Sequence, residues 1–300
     1  MRKYQYFIAA FLSYFIWGFF GLALKPIHNY PSLDILFYRL FFSVAIMTFI
    51  NCAFRYKTIN KNWVLYKNEH PKPKRKFIIQ TVLGGIILLF NWFTFIYVMN
   101  HIGVKVASFA YLVCPILTTV LAFFILKEKL NNWQWSAVAI SAISCGLLSY
   151  HDLHNLIYSL LVASTYSLYL INQRKNFGFD KFLVLNVQLV IASIILVPFF
   201  PNYSGALPTE GLFYGCILII VTLFTIAPLF LNLYALQGLK SATIGILIYV
   251  NPVINFALAL FYFHENVTNL QLFCYFLILI SILVFNKKML VNSKKESAKK

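Results

Sequence analysis

Arg39 is the residue of this sequence whose type and position most clearly suggest binding chemistry. It lies about five residues into the apolar segment 34–54, roughly 8 Å from the segment's edge if that segment is helical. A guanidinium at that depth in a membrane is costly, so it must face a cavity or a partner. One interpretation is an anchor that holds a substrate carboxylate or phosphate through paired hydrogen bonds. The alternative is a structural arginine that reaches headgroups or helix-end carbonyls, or that pairs with Asp34 on the same helix.

The other candidate binding residues are amides and aromatic side chains within apolar segments. Such groups can orient a ligand without carrying charge. They also form hydrogen bonds and packing contacts between helices in any membrane bundle, and the sequence leaves both roles open. Together with Arg39, the candidate substrate-binding residues are Trp17, Asn91, Trp92, Tyr111, Asn232, Tyr249 and Asn251.

The composition indicates which elements must position these residues. Of 300 residues, 61% are hydrophobic and only 11% are charged, which is too few polar residues to cover a water-soluble globule. This excludes an ordinary soluble enzyme, a disulfide-stapled secreted domain and a disordered chain. A membrane-spanning helix needs about 20 apolar residues. The sequence predicts ten spans, near 4–24, 34–54, 77–99, 104–126, 133–150, 152–173, 182–200, 211–236, 240–263 and 267–286.

The net charge of +17 is explained by topology. If the N-terminus is cytoplasmic and the ten spans alternate, 22 of the 25 basic residues lie on the cytoplasmic side. The bias predicts a multi-pass protein of the cell (inner) membrane with both termini in the cytoplasm. It argues against nucleic acid as a partner, and leaves the lipid bilayer and a small-molecule substrate as expected partners. The sequence does not decide whether the protein is a monomer or a homodimer.

Residue types that would support catalysis or metal binding are sparse. The five cysteines are scattered singly through the predicted spans without a C-x-x-C motif, as expected of small buried apolar residues. The pattern His151-Asp152-x-His154 is a weak metal-site signal in a short turn. No nucleophile-elbow, zinc-protease or phosphate-loop motif occurs. We therefore expect no enzyme activity, no cofactor and no metal.

An internal repeat divides the chain. The segments around Pro115 and Pro252 share the order Gly, Lys, Ala, Pro, and each proline is followed at the same spacing by Glu (128 and 265) and Asn-x-Gln. The offset is about half the chain, so each half contains five spans. Because five is odd, the second half enters the membrane from the opposite side, which is the inverted-repeat construction of secondary transporters. Pro115 and Pro252 are predicted to kink matched helices and are candidate gating residues.

Short motifs are spaced along nearly the whole chain. They are Tyr14-Phe15-Ile16-Trp17-Gly18, Asp34-Ile35-Leu36-x-x-Arg39, Asn91-Trp92-x-x-Phe95-Ile96-Tyr97, Ala107-Ser108-x-Ala110-Tyr111, Gln134-Trp135, Arg174-Lys175, Thr225-x-Ala227-Pro228-Leu229, Ala242-Thr243-Ile244-Gly245 and Tyr249-x-x-Pro252. As a set, these motifs resemble those of the RarD-type permeases, which are EamA-domain members of the drug/metabolite transporter superfamily. One position departs from that family, because Tyr38 stands where the family often has a histidine before the arginine.

The resemblance and the repeat together predict an all-α integral membrane protein with ten transmembrane helices in two inverted five-helix repeats. Residues 1–150 and 151–286 would be the two EamA-like repeats, and 287–300 a basic cytoplasmic tail. The expected function is a permease that exports or exchanges small organic metabolites or drugs by alternating access. The rivals are a membrane-embedded lipid-modifying enzyme and a non-transporting accessory or receptor subunit.

Overall fold

Helices account for all regular structure in the described part of the chain. The computed structural model describes residues 2–27, 29–98, 104–149, 153–175, 178–205, 207–262 and 268–297. Long apolar runs form helices in a membrane because a helix pairs its own backbone N–H and C=O groups where no water can. The helices are α1 (Arg2–Gly18), α2 (Phe20–Leu24), α3 (Ser32–Phe54), α4 (Tyr56–Asn68), α5 (Pro71–Tyr97), α6 (Val104–Leu126), α7 (Asn132–Ser149), α8 (Leu153–Lys175), α9 (Lys181–Leu196), α10 (Phe200–Tyr203), α11 (Gly211–Val221), α12 (Ala227–Gly238), α13 (Ser241–Leu247), α14 (Val250–Phe261) and α15 (Asn269–Ser297).

Six helical stretches are long and apolar enough to cross a membrane, so the all-α membrane class is confirmed. Each of them overlaps a predicted span. Two shorter apolar helices, Ser241–Ile254 and Leu272–Lys287, overlap the ninth and tenth predicted spans. The arrangement of ten spans in two inverted repeats stays a prediction. The six long stretches are Tyr4–Ile27, Ser32–Phe54, Pro71–Tyr97, Phe109–Leu126, Lys181–Tyr203 and Gly211–Gly238.

The two halves of the chain pack against each other along their length. Helix α1 lies against α12, α6 against α8, and α7 against α15. Helix α1 also contacts α14 so closely that a Cβ added to Gly18 would lie 2.7 Å from the Cβ of Ile254. Small residues at such crossings let membrane helices approach closely.

Two of the apolar stretches are interrupted near a proline. A π-helical segment, Thr222–Ile226, separates α11 from α12 just before Pro228. A break separates α13 from α14, which begins two residues before Pro252. Proline has no N–H and its ring displaces the carbonyl four residues earlier, which explains why each interruption lies just before a proline. By contrast, α6 runs through Pro115, so the matched prolines lie in different local structures.

Helix α4 was not expected from the sequence, because its segment is rich in lysine and reads as a loop. It follows α3 directly, and Tyr66 on it packs against Phe77 of α5 with ring centroids 6.4 Å apart. We call the end of the bundle formed by the C-terminus of α3, the whole of α4 and the N-terminus of α5 the basic end.

Two carboxylates tie elements together across the halves. Asp180 accepts paired hydrogen bonds of 2.9 and 3.1 Å from Arg55, and also accepts the backbone N–H groups of Phe182 and Leu183 at the start of α9. Glu128 accepts the backbone N–H groups of Ser241 and Ala242 at 2.9 and 3.1 Å and so caps the start of α13. Glu265, its counterpart in the repeat, lies outside the described residues.

Candidate functional site

Arg39 lies on α3 in a cage that we define by Arg39, Phe20, Trp92 and Thr225. Its Nε donates a 2.8 Å hydrogen bond to the Thr225 hydroxyl. Its Cζ lies 4.2 Å from the centroid of the Trp92 ring and 5.3 Å from that of Phe20. The residue is only 6% exposed, so the guanidinium is enclosed by protein. Aromatic faces attract a cation, more strongly where water is excluded.

The guanidinium of Arg39 has no anionic partner among the described residues. Within those residues the one ion pair of carboxylate and cation is Arg55 with Asp180. The pairing with Asp34 that the sequence left open is not formed, because the Asp34 carboxylate accepts the backbone N–H of Gly205 at 3.0 Å. Arginine has five N–H donors, and only the one on Nε has a described protein acceptor. The remaining donors can receive a planar anion.

The π-helical segment explains how Thr225 meets Arg39. The Thr225 hydroxyl donates to the carbonyl of Ile220, five residues earlier, and so presents its lone pairs to the guanidinium. One residue before it, the carbonyl of Phe224 cannot bond to Pro228, which has no N–H. The indole N–H of Trp17 donates to that carbonyl at 2.8 Å. Two side chains of the first half therefore bind adjacent residues of one interruption in the second half.

An aromatic cluster continues from Trp17. Its ring centroid lies 5.7 Å from that of Tyr14 and 6.0 Å from that of Tyr166. The amide of Asn232 donates to the Tyr14 hydroxyl, while its carbonyl oxygen is buried without a described partner. Tyr111 on α6 interacts electrostatically with both Arg39 and Tyr14, so it is close to the cage and to this cluster. Of the candidate residues, Trp92 and Tyr111 therefore interact with Arg39 itself, whereas Trp17 and Asn232 are connected to it only through intervening residues.

Three other candidates lie apart from Arg39. Asn91 donates both of its amide hydrogens to α8, to the carbonyl of Val162 at 3.1 Å and the hydroxyl of Thr165 at 2.8 Å. Tyr249 is fully buried beside Cys145 of α7. Asn251 is buried at the start of α14. The contacts of Asn91 favour the interhelical role over the ligand-binding role.

Sequence reasoning missed Phe20, Thr225 and Tyr14 as members of the site. Thr225 carried a usable signal, since it is a hydroxyl three residues before a proline inside an apolar run. Tyr14 stands in one of the motifs that carry the family resemblance, but nothing in that motif indicates a binding role. Phe20 carried no signal, because 18% of the chain is aromatic and most of those residues pack against neighbours.

The described residues contain no group of three or more His, Cys, Asp or Glu side chains that could hold a metal. Residues 151 and 152 of the weak His151-Asp152-x-His154 pattern lie outside the described residues, so the structure does not address that pattern.

Comparison with known proteins gives a family for this architecture. The EamA-like transporter family matches residues 5–150 and again residues 155–287. The uncharacterized transporter YojE of Bacillus subtilis is 28% identical over 281 residues, which is 91% of each chain. The protein RarD of Escherichia coli is 24% identical over 264 residues and 86% of each chain. The uncharacterized transporter PA0485 of Pseudomonas aeruginosa is 23% identical, covering 93% of this chain and 92% of that protein.

A solved crystal structure shares the fold. It superposes with a TM-score of 0.73 over 94% of this chain and 97% of that chain, at 13% sequence identity. Because the family profile matches nearly the whole sequence in two consecutive copies, and because the described chain is helical with several membrane-length apolar stretches, this chain belongs to the EamA-like transporter family.

Proposed function

We propose that this protein is a permease that exports or exchanges small organic metabolites or drugs by alternating access. Membership of a transporter family and the names of the relatives support a membrane transporter. The finer proposal is ten spans in two inverted repeats, residues 1–150 and 151–286, in the inner membrane with cytoplasmic termini. The repeat in the sequence and the two consecutive family matches support the two-repeat arrangement, and the distribution of basic residues supports the orientation of the termini.

The class of substrate is inferred from the arginine cage. A cation is held between aromatic rings, one of its donors is fixed by Thr225, and no described acidic group neutralises it. A buried unpaired charge is expensive, so the binding of an anion at the free donors is strongly favoured. The substrate that fits this chemistry is a small organic solute with a carboxylate or phosphate and an apolar or aromatic body.

Burial of the cage supports a transport cycle with more than one conformation. Arg39 is 6% exposed here, so a solute reaches it only after neighbouring helices separate. The cage is built from both halves, with Thr225 contributed by the second half and the other three members by the first. Relative motion of the halves would therefore open and close the binding site, as alternating access requires.

The rival functions remain distinguishable by chemistry. A lipid-modifying enzyme would need clustered acids or histidines at the membrane interface, and an accessory or receptor subunit would move no solute. The cage provides electrostatic and stacking interactions and contains no nucleophile paired with a base, so it favours binding and release over bond-breaking.

The first test is an untargeted comparison of metabolites inside and outside cells with and without the protein. Candidates from that comparison are then tested for flux across a pH gradient in proteoliposomes containing the purified chain. We expect saturable flux of an anionic or zwitterionic solute. Chemical conversion of the solute without net movement would instead support an enzyme, and no flux of any candidate would contradict the proposal.

A further inference from the structure

A second recess, at the basic end of the bundle, is separate in sequence from the arginine cage. It is a cavity of about 440 Å³ between the N-terminal half of α5 and the C-terminal end of α8. Its lining residues fall on one face of each helix: Lys72, Arg75, Lys76, Ile79, Gln80, Leu83, Asn172 and Lys175.

The mouth of this cavity is strongly cationic. Lys72, Arg75 and Lys76 come from the first two turns of α5, and Lys175 is the last residue of α8. No acidic residue lines the cavity, and none of these four cations is paired with an acid among the described residues. Four cations held this close repel one another, so an anion that binds between them relieves that repulsion.

The wall of the cavity turns apolar along α5. Ile79 and Leu83 follow the basic residues at helical spacing and are 46% and 44% exposed. Leu83 lies about 11 Å along the helix axis from Lys76, at about 1.5 Å per residue. A ligand that fills this surface therefore needs an anionic head and a hydrocarbon chain attached to it.

Helix α4 marks the headgroup level at the same end. Trp63 on it is 58% exposed beside the 54% exposed Val64. The helix also carries three lysines and three asparagines, and all of these except Asn62 are exposed. An exposed tryptophan on a short basic helix is typical of segments that lie in the membrane interface. Tyr66 of α4 lies against Lys74 of α5, with the ammonium 4.8 Å from the ring centroid. The cationic mouth is thus at the depth of lipid headgroups.

We propose that this cavity binds an anionic phospholipid of the adjacent leaflet, with the lipid phosphate among the four cations and an acyl chain along Ile79 and Leu83. Basic pockets between membrane helices suit such headgroups. The bound lipid would bridge α5 and α8, which belong to different halves of the chain. This inference does not depend on the identity of the transported solute.

The test measures lipid binding to the purified full chain in neutral detergent by native mass spectrometry. Phosphatidylglycerol is titrated against wild type and against the double variant Lys72→Gln/Arg75→Gln. The matched control is Lys57→Gln/Lys61→Gln, which removes the same charge from α4 at the same end but outside the cavity. Phosphatidylcholine and inorganic phosphate are the comparison ligands.

We expect phosphatidylglycerol to bind wild type and the control equally, and to bind the cavity variant about 25-fold more weakly, as two contacts worth about fivefold each would give. Phosphatidylcholine and phosphate should bind far more weakly than phosphatidylglycerol. Equal weakening in the control variant would show diffuse attraction to the basic end and overturn the proposal. Tight binding of inorganic phosphate alone, or unchanged binding in the cavity variant, would overturn it as well.

Discussion

Replacement of Arg39 separates an anchoring role from a structural one. Arg39→Ala should abolish transport of an anionic solute while the protein still reaches the membrane. Arg39→Lys is the sharper change, because lysine keeps the positive charge but cannot donate from Nε to Thr225 or offer a planar fork to an anion. The two variants together separate the effect of charge from the effect of geometry.

The size of the Arg39→Lys effect follows from the hydrogen bond to the solute that lysine cannot form. A hydrogen bond to a charged group contributes about 1.5–3 kcal/mol, so loss of one such bond to the solute raises the half-saturation concentration about 10- to 150-fold. The stacking on Trp92, at 4.2 Å from the ring centroid, is partly retained by an ammonium and does not cancel that loss. The rise in half-saturation concentration should be confined to solutes that carry a carboxylate or phosphate.

The assay is flux into proteoliposomes of a matched pair, the anionic solute and its uncharged amide or dephosphorylated analogue. Thr225→Val is the control, since it removes the acceptor for Nε and leaves the guanidinium in place. If Arg39 anchors the solute, Arg39→Lys should reduce transport of the anionic solute far more than transport of its uncharged analogue. A folded Arg39→Lys variant that handles both solutes as wild type does, with only its melting temperature lowered, would refute the anchoring role.

Three further predictions concern how the helices are held. Gly18→Ala should lower the melting temperature, because the new methyl would lie 2.7 Å from Ile254 and must move to an ordinary contact of about 3.5 Å. We expect this overpacking to cost about 1–3 kcal/mol of unfolding free energy. Adding Ile254→Ala should recover part of that loss. A double-mutant cycle of Arg55→Ala and Asp180→Asn can be measured by unfolding in mixed detergent. We expect a coupling free energy of about 1 kcal/mol between the two residues. Additive effects would show that the ion pair contributes nothing to stability. Glu128→Ala should destabilise the start of α13 by about 1–2 kcal/mol and speed hydrogen exchange there, whereas unchanged exchange would contradict the capping role.

The elements of this fold were predictable because they depend on local composition. Long apolar runs with few charges specify membrane helices, and each of the six long stretches overlaps a predicted span. Helix α4 was missed for the same reason, since its three lysines and three asparagines remove the apolar signal. Interruptions at Thr222–Ile226 and before Pro252 were only partly predictable, because proline indicates a break but does not specify whether it becomes a kink, a π-helical turn or two separate helices.

The sequence singled out Arg39 but not the residues that contact it. Arg39 stood out because a lone cation within an apolar segment demands an explanation. Its bond to Thr225 joins residues 186 positions apart, and no local pattern encodes which distant helix faces it. At Asn91 the sequence left a ligand-binding and an interhelical role open, and in the structure both amide hydrogens bond to α8. Whether a membrane-embedded amide binds a neighbouring helix or a solute is decided by packing.

The π-helical turn also constrains how this gene segment can vary in length. One extra residue in a turn shifts the phase of the following helix by about 100°, which lets α11 pack against α3 while α12 packs against α1. Deleting a single residue between Thr222 and Ile226 would leave a continuous apolar helix of adequate length. It would nevertheless rotate one part of the span out of register with its neighbour. Insertions and deletions here are therefore expected to be selected against more strongly than hydropathy alone would indicate.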